Sequence, residues 1–149
     1  MEIFINKRFN GPPNSGNGGY VAGLIAKEIG KCCEVKLVAP PPLEKKLLLK
    51  KSNENYELYD GETLVCIANT TTVDNDPCEF VSFSDALLGS KNGLSKFEPI
   101  HALPDCFVCG PNRKEGDGLR LFTGPQDLDS NPSEDDLVST TWVPDKGLS

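Results

Sequence analysis

The sequence predicts an α+β fold in which an antiparallel sheet wraps around one central helix. Three features predict it. A glycine- and proline-rich run, residues 10–19, leads straight into an apolar segment, Tyr20 to Ile29, that reads as a helix. A strand-like stretch, residues 3–9, stands ahead of that run, and several β-rich segments separated by turn residues follow it.

In chain order, the first element is a strand ending near Phe9. The central helix spans about residues 17–30, with Gly30 as its C-terminal stop. It carries Tyr20, Val21, Leu24, Ile25 and Ile29, with glycine or alanine at 18, 19, 22, 23 and 26. Nearly every side is apolar or small, so the helix is expected to be enclosed rather than laid on a surface. Residues 34–38 alternate polar and apolar as a half-buried strand does, and Pro40-Pro41-Pro42 interrupts them because proline cannot donate to a ladder. Leu47-Leu48-Leu49 gives no period of its own, and the short segment 43–51 after the prolines reads as a strand. Residues 56–60 form a strand running into Asp60-Gly61, a hairpin signal. Residues 63–73 are long and β-branched, the best strand of the chain, and Asp74 to Pro77 closes it. Together, residues 1–75 form one unit.

Residues 76–100 read as a connector holding a short helix, Ser82 to Leu88, capped by Ser82 or Ser84 and ended by Gly89 to Gly93. Residues 101–149 are either the start of a second unit of the same kind or strands completing the sheet. Within them, residues 119–122 and 137–143 read as strands, and residues 127–136 as an acidic, mobile turn.

A formal charge of −7 argues against sequence-independent nucleic-acid binding, which requires a basic surface. No apolar run reaches the roughly 20 residues needed to span a bilayer. The N-terminus has no signal-peptide pattern, so a cytoplasmic location is expected, with the six cysteines reduced. Adjacent Cys32 and Cys33 suit a disulfide poorly. Cys106 and Cys109 form a C-x-x-C pair, but zinc would need a second pair, and the one histidine, His101, lies five residues upstream. No metal and no cofactor are expected. A small metal module at residues 101–122 is the alternative. His101 reads as an exposed or capping residue, Asp60 as a turn residue, Cys106 and Cys109 as small apolar groups, and Trp142 as a packing residue between units or subunits.

Two segments carry a resemblance. Asn17-Gly18-Gly19-Tyr20-Val21-Ala22-Gly23-Leu24 resembles the His-Gly-Gly start of the central helix in hotdog-fold acyl-CoA thioesterases, with asparagine replacing histidine. Cys106-Phe107-Val108-Cys109-Gly110-Pro111-Asn112, followed by Gly118-Leu119-Arg120-Leu121, is similar to the opening of many hotdog units. The resemblance implies a hotdog fold of the double-hotdog kind, its second unit started and unfinished within these residues. It implies that acyl-CoA or a similar thioester binds at Asn17, Gly18, Gly19 and Tyr20. There the backbone N–H groups would polarise the thioester carbonyl, an oxyanion-hole task. It also implies a homodimer or higher homo-oligomer. Asn17 has two compatible readings, carbonyl-orienting side chain and helix N-cap. Tyr20 reads as core or pocket wall rather than a catalytic hydroxyl. The general base that relatives place further along the helix would fall at Ala26. The nearest acid, Glu28, is two residues on and about 200° around the helix. No catalytic residue is therefore assigned. The expectation is a thioesterase-like protein that binds, and if active hydrolyses, an acyl thioester. The alternative is a non-catalytic hotdog binding or assembly module.

Overall fold

The computed structural model describes residues 1–74, 79–127 and 137–146. The chain divides into two compact units, Met1–Asp76 and Pro77–Ser149. The architecture is α+β, with a five-stranded antiparallel sheet and one helix in the first unit and a second helix in the second.

The first unit runs β1 (Glu2–Phe4), α1 (Gly18–Ile29), β2 (Cys33–Leu37), β3 (Lys46–Ser52), β4 (Asn55–Asp60) and β5 (Thr63–Thr70). The sheet order is β1-β3-β4-β5-β2, with every pairing antiparallel. The first strand is shorter than its alternation suggests. The Asn6 side chain accepts from Arg8 N at 2.9 Å and turns residues 7–9 into a 3₁₀ helix. In β3 the ambiguous leucine run resolves at period two: Leu47 and Leu49 are buried and Leu48 is exposed. A two-residue turn joins β4 to β5. Gly61 takes φ of 60° there, which a side chain at that corner would resist. The strand expected to reach Val73 stops at Thr70, and the Thr71 N–H donates instead to the Cys32 carbonyl at 3.0 Å.

The core lies between α1 and one face of the sheet. Val21 and Ile25 of the helix meet Ile3, Ile5, Leu47, Leu49, Leu58 and Cys66, all nearly or fully inaccessible. Each such aliphatic side chain contributes about 1.5–3 kcal/mol on burial. The helix is not enclosed as its composition suggests. Gly19, Gly23, Lys27 and Glu28 are exposed, and a Cβ on Gly23 would have nothing within 4 Å. Its burial is one-sided because a single sheet face covers it. Gly30 ends the helix at φ 73°, donating its N–H to Ala26 O at 2.8 Å.

In the second unit α2 (Phe83–Phe97) starts at Ser82, whose hydroxyl accepts from Asp85 N at 3.2 Å. The glycines expected to end it, Gly89 and Gly93, lie inside it and are buried. They are there for contact. A Cβ on Gly93 would sit 2.5 Å from Phe122 O, and one on Gly89 2.7 Å from Ser139 O. The buried Asn92 amide pins the same region by donating to Pro125 O and Gln126 O at 3.0 and 2.9 Å. Neither expected strand forms among the described residues. Arg120 has φ of 53°, which breaks extension at 119–122, and residues 137–143 contribute one bridge, Ser139 to Gly124. No described residue of 101–149 joins the five-stranded sheet. The acidic turn expected at 127–136 lies, apart from Asp127, outside the described residues.

Candidate functional site

The glycine-rich run before α1 is a built loop. Gly11 N donates to Ser15 O (2.9 Å), Ser15 N to Pro12 O (3.1 Å), Gly16 N to Pro41 O (2.8 Å) and Asn17 N to Phe9 O (2.8 Å). These bonds tie it to the 3₁₀ turn on one side and to the proline run on the other. Gly16 sits close against the core, since a Cβ there would lie 3.0 Å from Val21 Cγ2 and 3.2 Å from Ile5 Cγ2. Tyr20 stacks on Phe9, with ring centroids 3.9 Å apart and planes 10° from parallel. The ring packs against the core cluster and does not line the groove described below, and partial burial raises its phenol above its usual range, so the hydroxyl stays protonated.

Asn17 is the N-cap: its Oδ1 accepts from Tyr20 N at 3.1 Å. Of the three N–H groups expected to face a ligand, that of Tyr20 is thus donated to Asn17. Those of Gly18 and Gly19 meet no acceptor among the described residues. They open the helix, where unsatisfied donors and the dipole favour a carbonyl oxygen or an anion. Beside them is a groove of about 360 Å³ lined by Pro12, Pro13, Ser15, Gly16 and Gly18 on one side and residues 37–41 on the other. Its walls are largely apolar. Gly18 belongs to the groove, and a Cβ added to it would come within 3.3 Å of Leu37 Cδ1.

The groove holds hydrogen-bond donors but no acid. No Asp or Glu lines it among the described residues. Ala26 is half-buried, and Glu28 is exposed near the other end of α1, about 15 Å along the axis from Gly18 at 1.5 Å per residue. The arrangement can bind and polarise a carbonyl, but it has no group of its own to activate water.

The other singled-out residues lie elsewhere. Asp60 is at the hairpin turn and pairs with Lys45 at 3.0 Å. Cys106-x-x-Cys109-Gly110 forms a tight turn in which Gly110 N donates to Cys106 O at 2.8 Å. A Cβ on Gly110 would strike three backbone atoms at 2.6 Å, so the glycine is obligatory. Burial, with Cys106 beside it, pushes the Cys109 thiol up to about 11, the reverse of nucleophile activation. His101 Nδ1 accepts from Leu103 N at 3.1 Å, which occupies that nitrogen locally. No group of three or more potential metal ligands occurs among the described residues. Trp142 is half-exposed.

One feature of the second unit gives no motif in the sequence. A cavity of about 450 Å³ brings His101 and Cys109 together with Leu94, Phe97, Leu121 and Phe122. Its walls come from α2 and two irregular segments, so no hydrophobic period marks them. No described helix is long and apolar enough to cross a membrane. No protein-family model, curated protein or solved structure matches the chain.

Proposed function

We propose that the first unit is a hotdog-type unit that binds an acyl thioester, such as an acyl-CoA, with its carbonyl oxygen at the start of α1 and its acyl chain along the groove. One observation carries this reading: the N–H groups of Gly18 and Gly19 meet no acceptor among the described residues, and Gly18 lines a largely apolar groove. A thioester offers the matching pair, a polarisable carbonyl beside a hydrocarbon chain. The order strand, helix, four strands, with the helix on one face of the antiparallel sheet, supports the hotdog assignment. The outer edges of β1 and β2 carry no partner strand among the described residues, which supports pairing of the sheet with a second copy.

A second reading has an observation in its favour. No carboxylate lines the groove, which suits a non-catalytic binding or assembly module better than a self-sufficient hydrolase. One experiment separates the two. Acyl-CoAs of graded chain length are titrated calorimetrically into the protein, and release of free CoA thiol is followed in parallel. Saturable binding with turnover makes the protein a thioesterase, with its base supplied from outside the groove. Saturable binding without turnover identifies the binding module. Absence of binding across the panel removes the thioester site and leaves only the assembly module.

A further inference from the structure

The cavity of the second unit is held open by its frame. Gly93 brings α2 within backbone contact of residues 122–124, and Asn92 anchors the neighbouring carbonyls of Pro125 and Gln126. The helix cannot settle further inward, so the recess between Leu94, Phe97, Leu121 and Phe122 stays unfilled. At about 450 Å³ it falls within the range of small-molecule sites. Apolar recesses of this kind are poorly wetted and accept hydrophobic guests.

The polar groups of the wall restrict the guest. The Nδ1 of His101 is already used by Leu103 N. Glu98, an exposed residue of the 3₁₀ turn Glu98–Ile100, is the one lining residue with a formal charge among the described residues. A carboxylate at the rim, on a chain of net charge −7, disfavours anionic amphiphiles and favours a cationic head group. We infer that this cavity binds a small apolar molecule carrying an amine, its body in the recess and its ammonium group at Glu98. The cavity and the groove at α1 share no lining residue, and the inference does not depend on the function proposed for the first unit.

The test uses the full chain at pH 8 with the uncharged fluorophore N-phenyl-1-naphthylamine as reporter. Decylamine, decanol and decanoate serve as competitors. The expected result is saturable reporter binding, displaced by decylamine at about threefold lower concentration than by decanol, with decanoate weakest. The modest factor reflects the exposure of Glu98. Glu98→Gln should remove the preference for the amine and leave reporter affinity unchanged. Ala102→Trp, which fills the cavity from its wall, should weaken the reporter about tenfold or more. A measurement on the unmutated chain guards against misfolding of that variant. Peptide-resolved alkylation of Cys109, which lines the cavity, should slow when reporter is saturating, while exposed Cys32 is unaffected. No saturable binding, equal displacement by all three competitors, or unchanged Cys109 alkylation would each overturn the inference.

Discussion

The same substitution, glycine to alanine, should have opposite effects in the two helices. Gly23 lies inside α1, is exposed, and an added Cβ would find nothing within 4 Å. Only the backbone term remains, and alanine is favoured over glycine in a helix by about 0.8–1.0 kcal/mol. For a unit of this size Gly23→Ala should raise the melting midpoint by about 4–8 °C. Gly93 lies inside α2, where the added carbon would come within 2.5 Å of Phe122 O and 2.7 Å of Thr123 O. Both obstacles are backbone and cannot rotate away. Overpacking of this kind costs about 1–3 kcal/mol or more, and two fixed backbone obstacles put this case at the upper end, so after the same helical gain Gly93→Ala should be destabilising by about 2 kcal/mol net. Urea and thermal melts separate the units, because the one tryptophan, Trp142, belongs to the second and reports it by fluorescence, while the three tyrosines, Tyr20, Tyr56 and Tyr59, belong to the first and report it by near-ultraviolet absorbance. A destabilising Gly23→Ala would refute the account of α1 and show that its outer face is covered in solution. A neutral Gly93→Ala would refute backbone contact between α2 and residues 122–124.

Three further outcomes follow from the same reasoning. Asn17→Ala removes the acceptor for Tyr20 N and should cost about 1 kcal/mol in a urea melt, while Asn17→Asp retains most of the cap. Leu58→Ala empties a fully buried position facing α1 and should cost about 2–5 kcal/mol. Burial pushes the Cys66 thiol up from 9.0 to about 11, so the folded unit holds it neutral more strongly than the unfolded chain does. That contribution is complete below pH 9 and is lost as pH rises through about 11, so the urea midpoint should fall over this window and fall less in Cys66→Ala.

The first unit was largely legible because its signals are local. Asn17 and Gly30 mark the ends of α1 by capping chemistry, Asp60-Gly61 marks the hairpin, and β-branched residues mark β5. What failed there was extent. Asn6 diverts the first strand through a side-chain bond that alternation does not reveal, and the composition of α1 suggested enclosure where one sheet face covers it. In the second unit the same residue types carried other meanings. Gly89 and Gly93 resemble helix stops but are buried contact points inside α2, because a glycine's tertiary neighbours leave no trace in its own sequence context. Residues 119–122 and 137–143 have strand composition but find no partner strands among the described residues to express it. At the candidate site the donors of Gly18 and Gly19 were readable, whereas the loss of Tyr20 N to the Asn17 cap and the groove wall from residues 37–41 needed three dimensions.

In the proposed function a thioester carbonyl lies against the N–H groups of Gly18 and Gly19 that open α1. Backbone amide NMR tests it most directly, using titration of ¹⁵N-labelled protein with a non-hydrolysable thioether analogue of an acyl-CoA that retains a carbonyl one atom away. Saturable shifts are expected, largest at the amides of Gly18 and Gly19, with smaller ones at Leu37 to Ala39 and little change at Tyr20, whose N–H stays on Asn17. Shifts centred elsewhere, or none with any chain length, would contradict it.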